Sequence, residues 1–178
     1  MQPPEIAYWE VQRCWPDEAV AILGGGASLR QTQVDYLRDK CRVIAINRAW
    51  TLAPWADWLY ACDADRFWAW YPEALAFDGT KVAVRKVWMN PEAWRQLKAL
   101  TDAGVKVLRH SSRECPCGAR HEGASPDPAV VRGDNSAFQI LSVIAHTGVH
   151  TVLLLGVDMR GRHWHGGYDL IGTPDYGS

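Results

Sequence analysis

Residues 19–28 read AVAILGGGAS: an apolar run from Ala19 to Leu23 stops at Gly24, Gly25 and Gly26, and Ser28 follows. Consecutive hydrophobic residues without polar alternation suit a strand covered on both faces, the usual condition in parallel sheets. The glycines supply a tight turn. Ser28 and Gln31 have the S-x-x-Q spacing of a capping box, ahead of a helical pattern that ends near Asp39.

The same grammar repeats outward. Arg42 to Asn47 and Trp58 to Asp63 are dense apolar runs that each end in a polar residue, and both read as buried strands. Arg66 to Ala76 reads as a helix despite Pro72, and Lys81 to Arg85 as a strand. Asn90, Pro91 and Glu92 open a helix that ends before Gly104. Val105 to Arg109 is a further strand, and residues 111–134 form a Gly- and Pro-containing polar stretch longer than most connections in compact domains. A helix from Asn135 to Thr147 is stopped by Gly148, and Thr151 to Val157 is expected to be the central strand. Strands and helices in alternation predict a single-domain, Rossmann-like α/β fold, a mostly parallel sheet with helices on both faces. Residues 1–18, with Trp9 and Trp15, are expected to form an N-terminal arm packed on the domain. Residues 19–165 form the nucleotide-binding domain, and residues 166–178 a polar C-terminal tail.

Composition narrows the function classes. In 178 residues, 48% are hydrophobic and 22% charged, which disfavours disorder, collagen and coiled coil. Nineteen Lys plus Arg against 20 Asp plus Glu leave a formal charge of -1, so global attraction to nucleic acid or acidic membranes is not encoded. The apolar run at residues 151–157 is far short of a bilayer span, and no basic segment leads into an apolar one at the N-terminus, so a soluble, cytoplasmic protein is expected. Five Cys, an odd number, argue against a disulfide framework. Ten Trp are read mostly as core or subunit-interface residues, compatible with a homodimer, with one or two available to stack a base or sugar.

Parallel sheets take ligands beyond the carboxyl ends of their strands. The predicted strands place there Gly24 to Ser28, Asn47, Asp63 with Asp65, and Asp158 followed by Arg160, Arg162, His163 and His165. The glycine turn would bring backbone N–H groups to an anion at a helix start; the same turn would also serve with Ser28 as a plain cap. Leu29 stands where the third glycine of G-x-G-x-x-G belongs, and Asn47 where a dehydrogenase carries its acid, which disfavours NAD. No G-K-[ST] follows the turn, which excludes a P-loop. Asn135 and Ser136 stand before a second helix, with Ser136 and Gln139 spaced as a capping box; they would hold phosphate or ribose, or simply cap. Asp63 is a candidate Mg²⁺ ligand alongside substrate phosphates, whereas Asp65 equally suits a helix cap. His163 and His165, two apart, face the same way in an extended loop and suit a general base or metal ligand. His110, Cys115, Cys117 and His121 contain metal-capable groups but lack the usual C-x2-C spacing, so structural zinc is not expected.

The strings AVAILGGGASL (19–29), VIAINRAW (43–50), WLYACD (58–63), GDNSAFQILSVIAHTGVHTVLLLGVDM (133–159) and HWHG (163–166) together resemble the Rossmann-like group that contains the bacterial sialyltransferases. That group also includes a domain of motility-associated flagellin glycosyltransferases and archaeal 6-hydroxymethylpterin diphosphokinase, and small members are similar to phage-encoded proteins. The resemblance implies that Gly24, Gly25, Gly26 and Ser28 contact nucleotide phosphates. It implies that Asn47 reaches the sugar or transferred group, that Asn135 and Ser136 bind ribose or phosphate, and that Asp158 floors the site. His163 or His165 would be the base that deprotonates an acceptor hydroxyl. The late motif departs from the group's pattern, reading Asn135-Ser136-Ala137 where relatives often have Asn-Ser-Gly or Gly-Gly-Asn/Ser. The first expectation is thus a nucleotide-dependent, glycosyltransferase-like enzyme using a nucleotide or nucleotide-sugar donor. The second is a Mg-dependent diphosphokinase using ATP, with Asp63 on the metal. The third is a non-catalytic phage protein that sequesters a nucleotide.

Overall fold

The computed structural model describes residues 5–64, 66–85, 91–111, 123–133 and 135–158. The apolar runs become strands because each can be covered twice. They are β1 (Ala19–Leu23), β2 (Arg42–Ile46), β3 (Trp58–Ala61), β4 (Thr80–Arg85), β5 (Lys106–His110), β6 (Val130–Val131) and β7 (Thr151–Leu155). The helices are α1 (Gln31–Leu37), α2 (Phe67–Trp70), α3 (Pro91–Asp102) and α4 (Ser136–Ile144). All seven strands pair in parallel, in the order β6-β5-β4-β3-β2-β1-β7. The expected α/β Rossmann-like fold is what forms.

Alternate strand residues feed two cores. Ala21 and Leu23 of β1 and Val107 of β5 face Val34 and Leu37 of α1 and Leu97 and Leu100 of α3. Val20 and Ile22, with Ile44, Tyr60 and Val82, face Ile140, Val143 and Ile144 of α4 on the other side. The N-terminal arm reaches both: Ile6 lies in the first core, and Val11 and Trp15 in the second. The Trp9 amide donates to the Val107 carbonyl at 2.8 Å and the Trp15 amide to the Thr147 carbonyl at 3.0 Å. Trp15 and Trp9 pack their rings 4.4 and 5.2 Å from that of Trp58. Cys14, Cys41 and Cys62 are thiols that take part in no disulfide. Among the described residues no helix is long and apolar enough to cross a membrane.

Several expectations are corrected. The strand expected at the centre, β7, lies at the edge of the sheet, and its Val152, Leu153 and Leu154 are 37%, 43% and 48% exposed. A continuous apolar run reports that a strand can be covered on both faces; its place in the sheet is set by the crossovers, which the run does not encode. The predicted helix from Arg66 to Ala76 is interrupted. Pro72 restricts the preceding residue, Tyr71 adopts φ -129° and ψ 65°, and the chain continues as a 3-10 turn over Pro72–Ala76. The polar stretch after β5 contains β6, which pairs Arg109 with Val130 and His110 with Val131; two residues are too short to register as a period.

Candidate functional site

β1 to β6 follow one another across the sheet in chain order, and β7 returns to the far side of β1. The reversal between β1 and β7 is where an open α/β sheet forms a crevice at its carboxyl edge. The glycine turn lies there and is packed against the chain leaving β7. Gly24 donates its amide to the Leu155 carbonyl at 2.8 Å, and Gly26 to the Gly156 carbonyl at 2.6 Å. A Cβ on Gly24 would stand 2.4 Å from the Gly156 oxygen, and one on Gly26 2.5 Å from the Asp158 carboxyl. Those two positions are glycine because the loops approach closely. Ser28 then donates its amide to Asp158 Oδ2 at 2.9 Å and its hydroxyl to Asp158 Oδ1. The amides of Gly24, Gly26 and Ser28, three of those offered to a phosphate by the sequence, are therefore engaged by acceptors of the protein itself.

Ser28 consequently does not cap α1. The Arg30 amide donates to Gln33 Oε1 at 2.8 Å, so the reciprocal contact sits two residues later than the S-x-x-Q spacing placed it. Gln31 instead donates to Asp35 Oδ1 at 2.8 Å and to the Leu52 carbonyl at 3.0 Å, tying α1 to the turn after β2.

Asn47 follows β2 directly and has φ 49°, a left-handed conformation that non-glycine residues adopt infrequently and Asn best tolerates. It opens a 3-10 turn over Asn47–Thr51, in which the Thr51 hydroxyl donates to the Arg48 carbonyl at 2.9 Å. Asp63 follows β3, and its carbonyl accepts the Phe67 amide at 2.8 Å, starting α2. Asn135 is the N-cap of α4: its Oδ1 accepts the amides of Ala137 and Phe138 at 2.8 and 3.3 Å. The box predicted from Ser136 and Gln139 is not made. The Ser136 hydroxyl donates to Cys62 Sγ at 3.0 Å, which joins α4 to the end of β3. Gln139 turns inward, where Oε1 accepts the Tyr60 hydroxyl at 2.7 Å and Nε2 donates to the Gly133 carbonyl. His110 Nε2 lies 2.8 Å from that same carbonyl. Burial pushes the Tyr60 phenol well above its ordinary value.

The structure thus brings Ser28 and Asp158 together at β1 and β7, sets Asn47 beside them at β2, and joins Cys62 to Ser136 beyond β3. His163, His165, Arg160, Arg162, Asp65, Cys115, Cys117 and His121 lie outside the described residues. Among the described residues no three His, Cys, Asp or Glu side chains converge on one point. Of the tryptophans near these strands, Trp58 and Trp68 are buried, and Trp50, Trp55 and Trp70 half-buried. Two described cavities lie elsewhere: a groove of about 500 Å³ between α1 and β7, and one of about 560 Å³ at the opposite edge, between Pro54–Asp57 and Asp78–Lys81.

Three residues of the carboxyl edge were not singled out from sequence. Arg48, Arg85 and Arg132 follow or end β2, β4 and β6, and each buries its Nε without a hydrogen-bond partner. Their sequence signal is an arginine at the close of an apolar run, as in Val84-Arg85 and Val131-Arg132. No family model, no curated protein and no solved structure matches this chain.

Proposed function

We propose that the protein binds a nucleotide or nucleotide-activated donor across the carboxyl ends of β1 to β3 and transfers a group from it, in the manner of a glycosyltransferase. The observation that carries this reading is Asn47, held at φ 49° on the strand next to the glycine turn, at the edge where parallel sheets take ligands. Left-handed Asp17 and Asp39 stand in turns ahead of β1 and β2, at the other edge. A strained polar residue at a strand's carboxyl end is a common mark of ligand contact.

In this reading the Asn47 amide group hydrogen-bonds the donor, and the turn locked by Ser28 and Asp158 forms one wall. Ser136 and the α4 start form the other. His163 or His165, following Asp158 in the chain, would take the acceptor's hydroxyl proton. Bound in a fixed place, donor and acceptor gain most of their advantage from proximity, which asks little covalent chemistry of the protein.

Thermal unfolding against CMP, UDP, GDP and ATP, each with and without Mg²⁺, tests the reading. A ligand at 100 times its Kd adds about 2.7 kcal/mol, a rise of roughly 5–10 °C in Tm for a chain of this length. A metal-independent rise with CMP or UDP, lost in Asn47→Ala, is the expected result. A rise that needs ATP and Mg²⁺ together would replace it with the diphosphokinase reading, and no rise with any nucleotide would overturn both.

A further inference from the structure

We infer that the ligand of the carboxyl edge carries an anionic group, a phosphate or carboxylate, and that Arg48 binds it; the inference rests on the site proposed above but concerns charge rather than the nucleotide. Among the described residues the arginines with a buried, unpartnered Nε are Arg48, Arg85 and Arg132, and all three stand at carboxyl ends of strands. None has a carboxylate within ion-pair distance among the described residues. By contrast, Arg42 pairs with Glu18 and Asp57 at 2.7 and 3.1 Å, Arg95 with Glu92 at 2.7 Å, and Arg109 with Asp127 at 3.2 Å. Partly desolvated positive charge without a counter-charge is costly, and it is concentrated on the one edge suited to a ligand.

Arg48 is set apart within the three. Arg85 donates to the Tyr8 hydroxyl and lies over the Trp94 ring at 4.7 Å, and Arg132 donates to the Ala124 carbonyl at 3.3 Å. Arg48 makes no side-chain hydrogen bond among the described residues. Its guanidinium lies 5.6 Å over the Tyr71 ring, and its backbone is fixed beside Asn47 by the Thr51 hydroxyl. A planar fork held by stacking, with donors to spare, is the arrangement that binds phosphate or carboxylate through two N–H groups. Arg85, two strands away and hence about 10 Å along the edge, would add long-range attraction rather than a contact to the same group.

The test uses the whole chain and inorganic pyrophosphate as probe, followed by titration calorimetry. Binding by the wild type, at least ten-fold weaker in Arg48→Gln and unchanged in Arg95→Gln, is the expected outcome. Should Arg48→Gln fail to fold, the arginine Nε–Hε signal that disappears in Arg48→Lys must shift in the wild type on adding pyrophosphate. Equal affinity in wild type and Arg48→Gln, or a stationary Nε–Hε signal, overturns the role of Arg48 while leaving the nucleotide site standing. Absence of pyrophosphate binding, with a nucleotide-induced rise in Tm that Arg48→Gln keeps in full, overturns the role of Arg48 alone. Absence of both removes the site as well.

Discussion

The Tyr60 hydroxyl and Gln139 amide form a hydrogen bond of 2.7 Å between residues that are 0% and 1% exposed, so neither group has water as a substitute. The bond joins β3 to α4, the helix whose first residue reaches Cys62 at the carboxyl edge. In Tyr60→Phe the Gln139 oxygen is left dry, which costs about 1–3 kcal/mol. Gln139→Leu leaves the Tyr60 hydroxyl dry and also takes one donor from the Gly133 carbonyl, which His110 still contacts, so its cost is about 2–3 kcal/mol. Removing both groups leaves no orphan between them, and the double variant is expected to lose about 1–3 kcal/mol less than the sum of the single losses. For a chain of this size each kcal/mol is about 2–4 °C of Tm, so each single variant falls by several degrees and the double by little more. Urea unfolding followed by Trp fluorescence and far-ultraviolet circular dichroism measures all four proteins. Single losses that add to within about 0.5 kcal/mol would refute the coupling, because uncoupled sites are additive to that extent.

Other expectations follow from single contacts. Gly26→Ala places a Cβ 2.5 Å from the Asp158 carboxyl and 2.6 Å from the Gly156 oxygen and is expected to cost about 1–3 kcal/mol, measured as a fall in urea midpoint. Gly104→Ala meets nothing within 4 Å, so only its φ of 81° opposes it, at about 1 kcal/mol; equal losses in the two variants would contradict the close approach of the loops. Because burial raises the Tyr60 phenol above its ordinary 10.0, the folded chain keeps a proton that the unfolded chain sheds. Its contribution is whole below that ordinary value, and stability falls as pH rises beyond about 10, less steeply in Tyr60→Phe. Urea midpoints across that range check the slope. Asp57→Ala removes the acceptor of the Val43 amide at 2.8 Å and one partner of Arg42, with an expected loss of about 1–3 kcal/mol read from the same midpoints.

How far local pattern reaches is clear from particular residues. Val20, Ile22, Ile44 and Leu59 are fully buried because a run apolar on both sides must be covered on both sides, and that condition is written in adjacent residues. Gly148, at φ 86°, ends the 3-10 turn over Ala145–Thr147 that continues α4, as its place in the sequence predicts. The two S-x-x-Q spacings mislead in the same way. In each, the serine hydroxyl finds a partner far along the chain, Asp158 across 130 residues and Cys62 across 74, and the glutamine turns elsewhere. A capping box is a local contact that a long-range partner can displace, and only the fold brings such partners near. Arg48, Arg85 and Arg132 escape local reading for a related reason. An arginine after an apolar run reads as a strand end until the strands align those ends along one edge.

That alignment also decides where on the edge an anion can sit. At the β1–β7 reversal the amide and hydroxyl of Ser28 already face the Asp158 carboxylate. A phosphate entering beside it would meet like charge. At about 4 Å and the effective dielectric of a protein surface, that repulsion is about 4 kcal/mol per unit charge, more than the roughly 0.3–2 kcal/mol that a helix terminus returns. At β2 the balance reverses, since Arg48 brings a positive charge with no carboxylate against it among the described residues. The glycine turn, which the sequence marks first, is therefore the closed end of the edge. Asn47 and Arg48, adjacent at the end of the neighbouring strand, are its open end, toward which the proposed anionic ligand would be drawn.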